Sequence, residues 1–263
     1  MYFATHLCYL VLVPRREFLS KTFVTSSAAA VVAAQPASAL ADASADASDA
    51  TPQEGTSLSL RAVKVAAQSN TLGQMAVYPD PILRHVASPV IDFGPSLDKV
   101  ANLLVGGMKT NSTTALQYGI DARIIVLKGP ASPLSDGATL ILINPNVLAR
   151  SGEDKMIPWI EYCGHFVPKD GVKALEVELL RDEVVEVAAQ DVRGTPIRKS
   201  LRGEAARAFQ HELDHLEGLL IIDHAGLDEL PRDIAELERP FHRARQRRAF
   251  ERRTYQGNEP LYR

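Results

Sequence analysis

The chain has 263 residues, of which 46% are hydrophobic and 23% charged, and its formal net charge is −3. This balance is ordinary for a soluble globular protein and gives no overall attraction to nucleic acid or to an anionic membrane. The two cysteines, Cys8 and Cys163, are too few for a disulfide framework. The length fits one good-sized domain or two small ones.

Residues 1–41 have the pattern of a targeting segment. The stretch 15–21 reads RREFLSK, a twin-arginine pattern, and a short apolar run and small-residue cleavage sites follow it. The apolar run is too short for a stable membrane span. The alternative is a wrongly chosen start codon, so that these residues carry no signal. Residues 42–70 begin with an Ala/Asp/Ser tract, which predicts a flexible linker.

The remaining chain divides into a predicted catalytic domain, 71–238, and a basic tail, 239–263. Leucine, valine and methionine recur at helical spacing over 96–108, which predicts a helix with Ser96 as its N-cap. Short apolar runs at 123–127 and 139–143 predict strands.

The second half of the domain has a different pattern. Residues 175–179 alternate between apolar and acidic, which predicts a half-exposed strand, with 184–189 as its hairpin partner. A helix is expected over 201–217, ended by Gly218, and a last helical stretch over 227–253. Strands come first and helices late, so we expect an α+β fold with antiparallel strands packed around a central HExxH helix, and a C-terminal helix.

The helix at 201–217 contains the sequence HELDH, from His211 to His215. Histidines at positions i and i+4 share one helix face, so they can bind the same metal ion, and Glu212 beside them can carry a proton. A chance match on a solvated helix is the alternative. Apolar residues on the same helix favour burial, and the metal site therefore remains the better interpretation.

A catalytic metal site needs a third protein ligand. In zincin-type proteases it lies downstream of HExxH, but here Ile221 stands where the third histidine of HExxHxxGxxH would be. The other candidate is the thiolate of Cys163, upstream of the motif.

Four segments resemble motifs of the peptide deformylase family. Residues 203–218 (GEAARAFQHELDHLEG) are similar to its QHExDHLxG motif, and 78–84 (YPDPILR) to its YPDPxLR opening. Residues 161–165 (EYCGH) stand where the family has EGCLS, and 110–117 (TNSTTALQ) where it has GxGLAAxQ. The resemblance covers about 75–223, which is nearly the whole predicted domain.

The resemblance implies a set of site residues. The metal ligands would be Cys163, His211 and His215, and Glu212 would be the general base and acid. The side-chain amide of Gln117 and the backbone N–H of Gly164 would bind the developing oxyanion. Fe²⁺ is the preferred ion and Zn²⁺ the alternative, because a thiolate with two imidazoles suits either.

The implied activity is removal of the N-formyl group from the N-terminal methionine of nascent proteins. Formylmethionyl nascent peptides would be the partner, with no DNA partner and no stable membrane span. A plastid is preferred over a mitochondrion, and export by a twin-arginine route is the alternative. Two other functions stay open: a diverged paralogue that keeps the metal site without this activity, and a metallohydrolase of another small amide or peptide.

The motifs also depart from the family pattern. Thr110 and Ser112 replace two glycines, and Gly164 and His165 replace a leucine and a serine. These changes lie on the substrate-facing loops, so they put the substrate range in doubt rather than the chemistry. We assign no role to His165.

The tail contains seven arginines between 239 and 253, interleaved with two phenylalanines. A basic helix on an enzyme of nascent chains could rest on ribosomal RNA, which predicts a ribosome contact through 239–253. A solvated helix end is the alternative.

Overall fold

The computed structural model describes residues 54–166 and 175–254. The predicted twin-arginine segment and the last nine residues of the tail lie outside this part of the chain. Within it, the α+β prediction is confirmed: antiparallel strands combine with five α-helices. No helix in 54–166 or 175–254 is both long and apolar enough to cross a membrane.

The helices and strands alternate irregularly along the chain. The helices are α1 (Glu54–Ala66), α2 (Pro95–Gly107), α3 (Gly203–Leu216), α4 (Arg232–Glu238) and α5 (His242–Thr254). The strands are β1 (Ser112–Thr114), β2 (Ile124–Leu127), β3 (Leu140–Arg150), β4 (Met156–Tyr162), β5 (Glu176–Asp182), β6 (Val184–Gln190) and β7 (Pro196–Arg202).

The strands form two antiparallel sheets. Five of them lie in the order β1-β2-β3-β6-β7, and β4 pairs with β5 in a separate two-stranded sheet. The predicted hairpin between 175–179 and 184–189 is therefore wrong. Both edges of β6 are taken, by β3 and β7, so β5 pairs instead with β4, from Met156↔Asp182 to Tyr162↔Glu176.

One apolar core holds α3 against the larger sheet. The buried helix residues Ala206, Phe209 and Leu216 share this core with residues of β2, β3, β6 and β7. Leucine, phenylalanine and alanine recur at helical spacing on this face, and polar side chains such as the two histidines of HELDH lie elsewhere on the helix. The sheet thus fixes the position of the segment that carries HELDH.

The second core contradicts the linker prediction. Residues 54–66 form α1, whose Val63 is buried against α2 residues such as Leu97 and Leu104. The Ser59 hydroxyl also donates to the carbonyl of Pro89, at 2.5 Å. The part of α1 over 58–66 therefore belongs to the folded domain, because apolar side chains such as Ala62 and Val63 join this core.

Helix ends differ from the predictions at two places and agree at a third. Helix α2 starts at Pro95 with Gly94 as its N-cap, not Ser96, since proline suits the first helical position. The single helix expected over 227–253 is divided into α4 and α5 around Pro240, which lacks an N–H and disfavours helix before it. Gly218 does end α3: its φ is +67°, and an added Cβ would lie 2.5 Å from the carbonyl oxygen of Arg84.

Candidate metal centre and active-site cleft

Three buried side chains form a cluster of potential metal ligands. Cys163 follows β4, whereas His211 and His215 lie one turn apart on α3, and the ligand atoms of all three are within 4.8 Å of one another. The Nε2 atoms of the histidines are 3.2 Å apart, and Cys163 Sγ is 3.4 Å from His215 Nε2.

The two short separations are close to the edges of a tetrahedral metal site. Ordinary metal–nitrogen and metal–sulfur bonds give edges of about 3.3 Å between two nitrogens and about 3.6 Å between nitrogen and sulfur. The donor set of one thiolate and two imidazoles, all buried, therefore fits one divalent transition-metal ion.

The hydrogen bonds of the histidines support this fit. His211 Nδ1 lies 2.8 Å from a carboxylate oxygen of Glu161, so it donates its proton there and leaves Nε2 directed at the cluster. Burial lowers the pKa of His215 well below its ordinary value, which keeps this imidazole neutral. Burial also lowers the pKa of His211, but its contacts with Cys163 and Glu161 outweigh this and raise it. With a raised pKa, His211 also carries a proton on Nε2, and a bound metal ion would displace this second proton.

Glu161 is itself held by a buried guanidinium. Arg181 of β5 donates from Nε and Nη2 to the two oxygens of Glu161, at 2.7 and 2.9 Å, and from Nη1 to Asp214 at 2.7 Å. Burial raises the pKa of each carboxyl, but Arg181 outweighs it and holds both pKa values well below their usual range. The network joins β4, β5 and α3 behind His211.

The carboxylate of Glu212 lies beside the cluster and is almost fully buried. The Ser112 hydroxyl donates to its Oε1 at 2.7 Å, and the Gln117 amide donates to its Oε2 at 3.2 Å. Burial raises the pKa of Glu212, and the nearby His211 and Ser112 offset only part of this effect. A carboxyl with a raised pKa is suited to carry a proton near neutral pH.

The amide of Gln117 has a fixed orientation. Its oxygen accepts from the Thr113 hydroxyl at 2.6 Å and from the Thr114 N–H at 3.0 Å. The NH₂ group is therefore the end that faces Glu212 and the cleft. This is the orientation that a donor to a developing oxyanion requires.

Gly164 lies in the exposed turn after Cys163. Its backbone N–H donates to no group in the described residues, although the turn itself is closed by Phe166 N–H to the carbonyl of Cys163. A Cβ added to Gly164 would lie 2.9 Å from Cε of Met75. The Met75 side chain therefore covers the face where the family pattern has leucine, a compensation that the sequence motifs did not reveal.

His165 is buried but is not one of the clustered ligands. Its Nδ1 donates to the carbonyl of Ala76 at 2.7 Å, and its ring packs edge-on against His215 with centroids 4.8 Å apart. It thus replaces the serine of the family pattern with a larger ring that supports His215.

Cys163, His211 and Glu212 line one cleft of about 450 Å³, and His215 lies behind them. The segment 110–112 and Gln117 are on its lining together with β4, the cysteine turn and α3. Two charged residues of α3, Glu204 and Arg207, also line it, although the motif that contains them gives them no role. An α+β fold with a buried Cys/His/His cluster and an adjacent glutamate is the arrangement of a metal-dependent hydrolase.

Comparison with known proteins places this arrangement in a family. The sequence model of the polypeptide deformylase family matches residues 73–230, so the chain belongs to that family. The chain is 32% identical over 180 residues to "Peptide deformylase 1B, chloroplastic/mitochondrial" of Arabidopsis thaliana, covering 66% of this chain. It spans only 63% of that relative's length. It is also 34% identical over 153 residues to a peptide deformylase of Thermotoga neapolitana, covering 57% of this chain and 85% of that one.

Solved structures agree. A peptide deformylase of Thermotoga maritima matches with a TM-score of 0.51 and 32% identity, covering 59% of this chain and 97% of the other. One from Legionella pneumophila matches with a TM-score of 0.54 and 26% identity, covering 67% and 99%. The resemblance found in the four motifs is thereby confirmed.

Replacement of Arg181 by methionine tests the network behind His211. Arg181→Met leaves the carboxylates of Glu161 and Asp214 buried without their cation, so we expect a loss of about 3–5 kcal/mol in the free energy of unfolding. Urea denaturation at pH 7 measures it. Arg232→Met, which removes an exposed ion pair with Glu236, is the control and should cost under about 1 kcal/mol.

The two carboxyls that Arg181 binds, those of Glu161 and Asp214, also predict that the stability of the protein depends on pH. The carboxyls have depressed pKa values in the folded state, so their contribution to stability is present above their unfolded pKa of about 4 and is lost as the pH falls below it. Arg181→Met should reduce this loss. Equal stability of the variant and the wild type at pH 7 would contradict the account.

Proposed function

We propose that this protein is a peptide deformylase that removes the formyl group from the N-terminal methionine of nascent chains. The observation that carries the proposal is the position of Glu212. Its carboxylate lies next to the Cys163/His211/His215 cluster and is approached by the amide of Gln117, within a single cleft.

The reaction adds water to the formamide carbon and breaks its bond to nitrogen, giving formate and a free amine. A divalent cation held by Cys163, His211 and His215 supplies Lewis-acid activation of water at neutral pH. Glu212 takes the proton from the attacking water and delivers it to the departing nitrogen. The Gln117 amide and the Gly164 N–H donate to the formyl oxygen as it becomes negative.

We propose Fe²⁺ as the native ion, with Zn²⁺ as the alternative. The thiolate of Cys163 places more negative charge on the ion than a third imidazole would, and both ions accept this donor set. We also propose that α3 is the central element around which the antiparallel strands pack, which its shared core with four strands supports.

The open edges of two strands suit an extended peptide. Within the described residues, β1 pairs only with β2, and β4 only with β5. Both strands adjoin the cleft. A nascent chain can therefore add to a strand edge through main-chain hydrogen bonds, with its formyl group beside Glu212.

Formate release tests the activity. Protein loaded anaerobically with Fe²⁺ should release formate from formyl-Met-Ala-Ser, and Glu212→Ala should lower the rate by about 10²-fold or more because the proton carrier is missing. Glu236→Ala removes an exposed carboxylate on α4 and should leave the rate unchanged.

The other two functions are outcomes of this assay. A bound metal without Glu212-dependent formate would contradict deformylation and favour the diverged paralogue. If Glu212-dependent hydrolysis occurs instead with an unformylated amide or peptide, the result would favour a metallohydrolase of another small amide or peptide.

We propose that the protein works in an organelle, with a plastid preferred over a mitochondrion and twin-arginine export as the alternative. The Arabidopsis thaliana relative is named "chloroplastic/mitochondrial", which supports a place in an organelle. A fluorescent reporter fused behind residues 1–45 should accumulate in plastids of a plant cell. A reporter that stayed in the cytosol would contradict organelle targeting.

We also propose that the basic C-terminal region contacts ribosomal RNA through a subset of its arginines. Arg245, Arg248 and Arg252 bind inward to Glu238 and Glu217. Arg239, Arg243 and Arg247 remain exposed. Arg243 and Arg247 lie one turn apart on α5, which suits neighbouring phosphate contacts, and Arg239 lies shortly before this helix.

The inward contacts mean that a deletion of the tail would also disturb the catalytic domain. A variant with glutamate at 239, 243 and 247 keeps those contacts and should lose co-sedimentation with ribosomes at low salt. An equal charge change on and just before β7, with glutamate at the exposed positions Arg193, Arg198 and Arg202, is the control. Ribosome binding that survives the first variant would overturn this proposal.

A further inference from the structure

The lining of the cleft continues along α3 beyond the metal cluster. Glu204, Arg207 and His211 are spaced three and four residues apart, so they follow one another on the same helix face. All three line the cleft. A substrate side chain that points from the formyl group towards the start of α3 therefore meets charged groups.

Glu204 and Arg207 form an ion pair that is partly exposed to solvent. Arg207 donates from Nε and Nη2 to the carboxylate of Glu204, at 2.7 and 2.6 Å, and its side chain is 18% exposed against 34% for Glu204. Its Nη1 atom is 3.9 Å from Glu161, too far for a hydrogen bond, and Glu161 is already engaged by Arg181. Within the described residues, Arg207 thus keeps N–H donors that no acceptor uses.

The indole of Trp159 lies beside this pair, with the Arg207 guanidinium 5.9 Å from the ring centroid. The first side chain of a peptide would therefore lie against a flat ring, the stem of Arg207 and a guanidinium with spare donors. A purely apolar chain end desolvates these donors without replacing their hydrogen bonds, which is unfavourable. An acceptor oxygen forms a charge-assisted hydrogen bond there instead.

We propose that Arg207 selects formylated peptides whose first side chain has the length of methionine and ends in a hydrogen-bond-accepting oxygen. This inference rests on the deformylase function proposed above and names the substrate class for that site. Glutamine has this chemistry. So does methionine sulfoxide, the oxidised form of the initiator residue, whose thioether has become a polar S=O group.

Trp159 is the only tryptophan of the chain, and it lines the cleft, so its fluorescence reports binding there. The full-length Glu212→Gln protein loaded with Zn²⁺ would be titrated with formyl-X-Ala-Ser peptides, where X is methionine, norleucine, glutamine or methionine sulfoxide. The oxygen-bearing peptides should bind about tenfold more tightly than the methionine and norleucine peptides, as a hydrogen bond to a charged donor permits.

Two variants test whether Arg207 causes this binding preference. Arg207→Leu should abolish the preference or reverse it, and Arg232→Leu, which removes an exposed arginine on α4, should keep it. Circular dichroism and zinc content verify that each variant is folded and loaded. Tight binding of the sulfoxide but not of glutamine would identify the oxidised initiator as the source, and tight binding of both would identify the oxygen acceptor alone.

Equal dissociation constants across the four peptides would overturn the proposal, and this comparison needs no variant. A preference that survives Arg207→Leu would also overturn it. Formate release by the protein with Glu212 intact, measured on the same peptides, separates this inference from the activity. Selective binding without formate would contradict deformylation and leave the selectivity standing.

Discussion

The buried ion pair between Arg181 and Glu161 is the interaction on which the site depends. One guanidinium from β5 fixes a carboxylate of β4, and that carboxylate fixes the imidazole of His211. Arg181 forms a third hydrogen bond, to Asp214 on α3. Because removing either partner would leave a charge buried, the small sheet and the helix are held together at the place where the ligands meet.

The sequence predicted the parts of the site that are local. HELDH predicts two imidazoles on one helix face, and the apolar spacing around it predicts the buried side of α3. The pairing of β5 was not predictable, since alternation indicates how exposed a strand is and not which strand it pairs with. Arg181 was missed for the same reason: its partners are distant in sequence, and only the pairing of β4 with β5 and the packing of α3 on β5 bring them close.

The altered motifs keep Gln117, Cys163 and Glu212 while changing the residues around them. Ser112 stands where the family pattern has glycine, and its hydroxyl donates to Glu212. Gly164 stands where the pattern has leucine, and Met75 covers the space. Neither compensation could be inferred from the motifs, because Met75 and Glu212 approach from other parts of the chain. The cleft therefore combines side chains that match the family motifs with lining residues that differ from them.

We expect Cys163, His211 and His215 to bind one metal ion together. Titration of the metal-free protein with Co²⁺ tests it most directly, because a cobalt–thiolate bond gives a near-ultraviolet charge-transfer band. The account predicts saturation at about one Co²⁺ per chain with this band present, and loss of the band in Cys163→Ser. An unchanged band in that variant, or no Co²⁺ binding by the wild type, would contradict it.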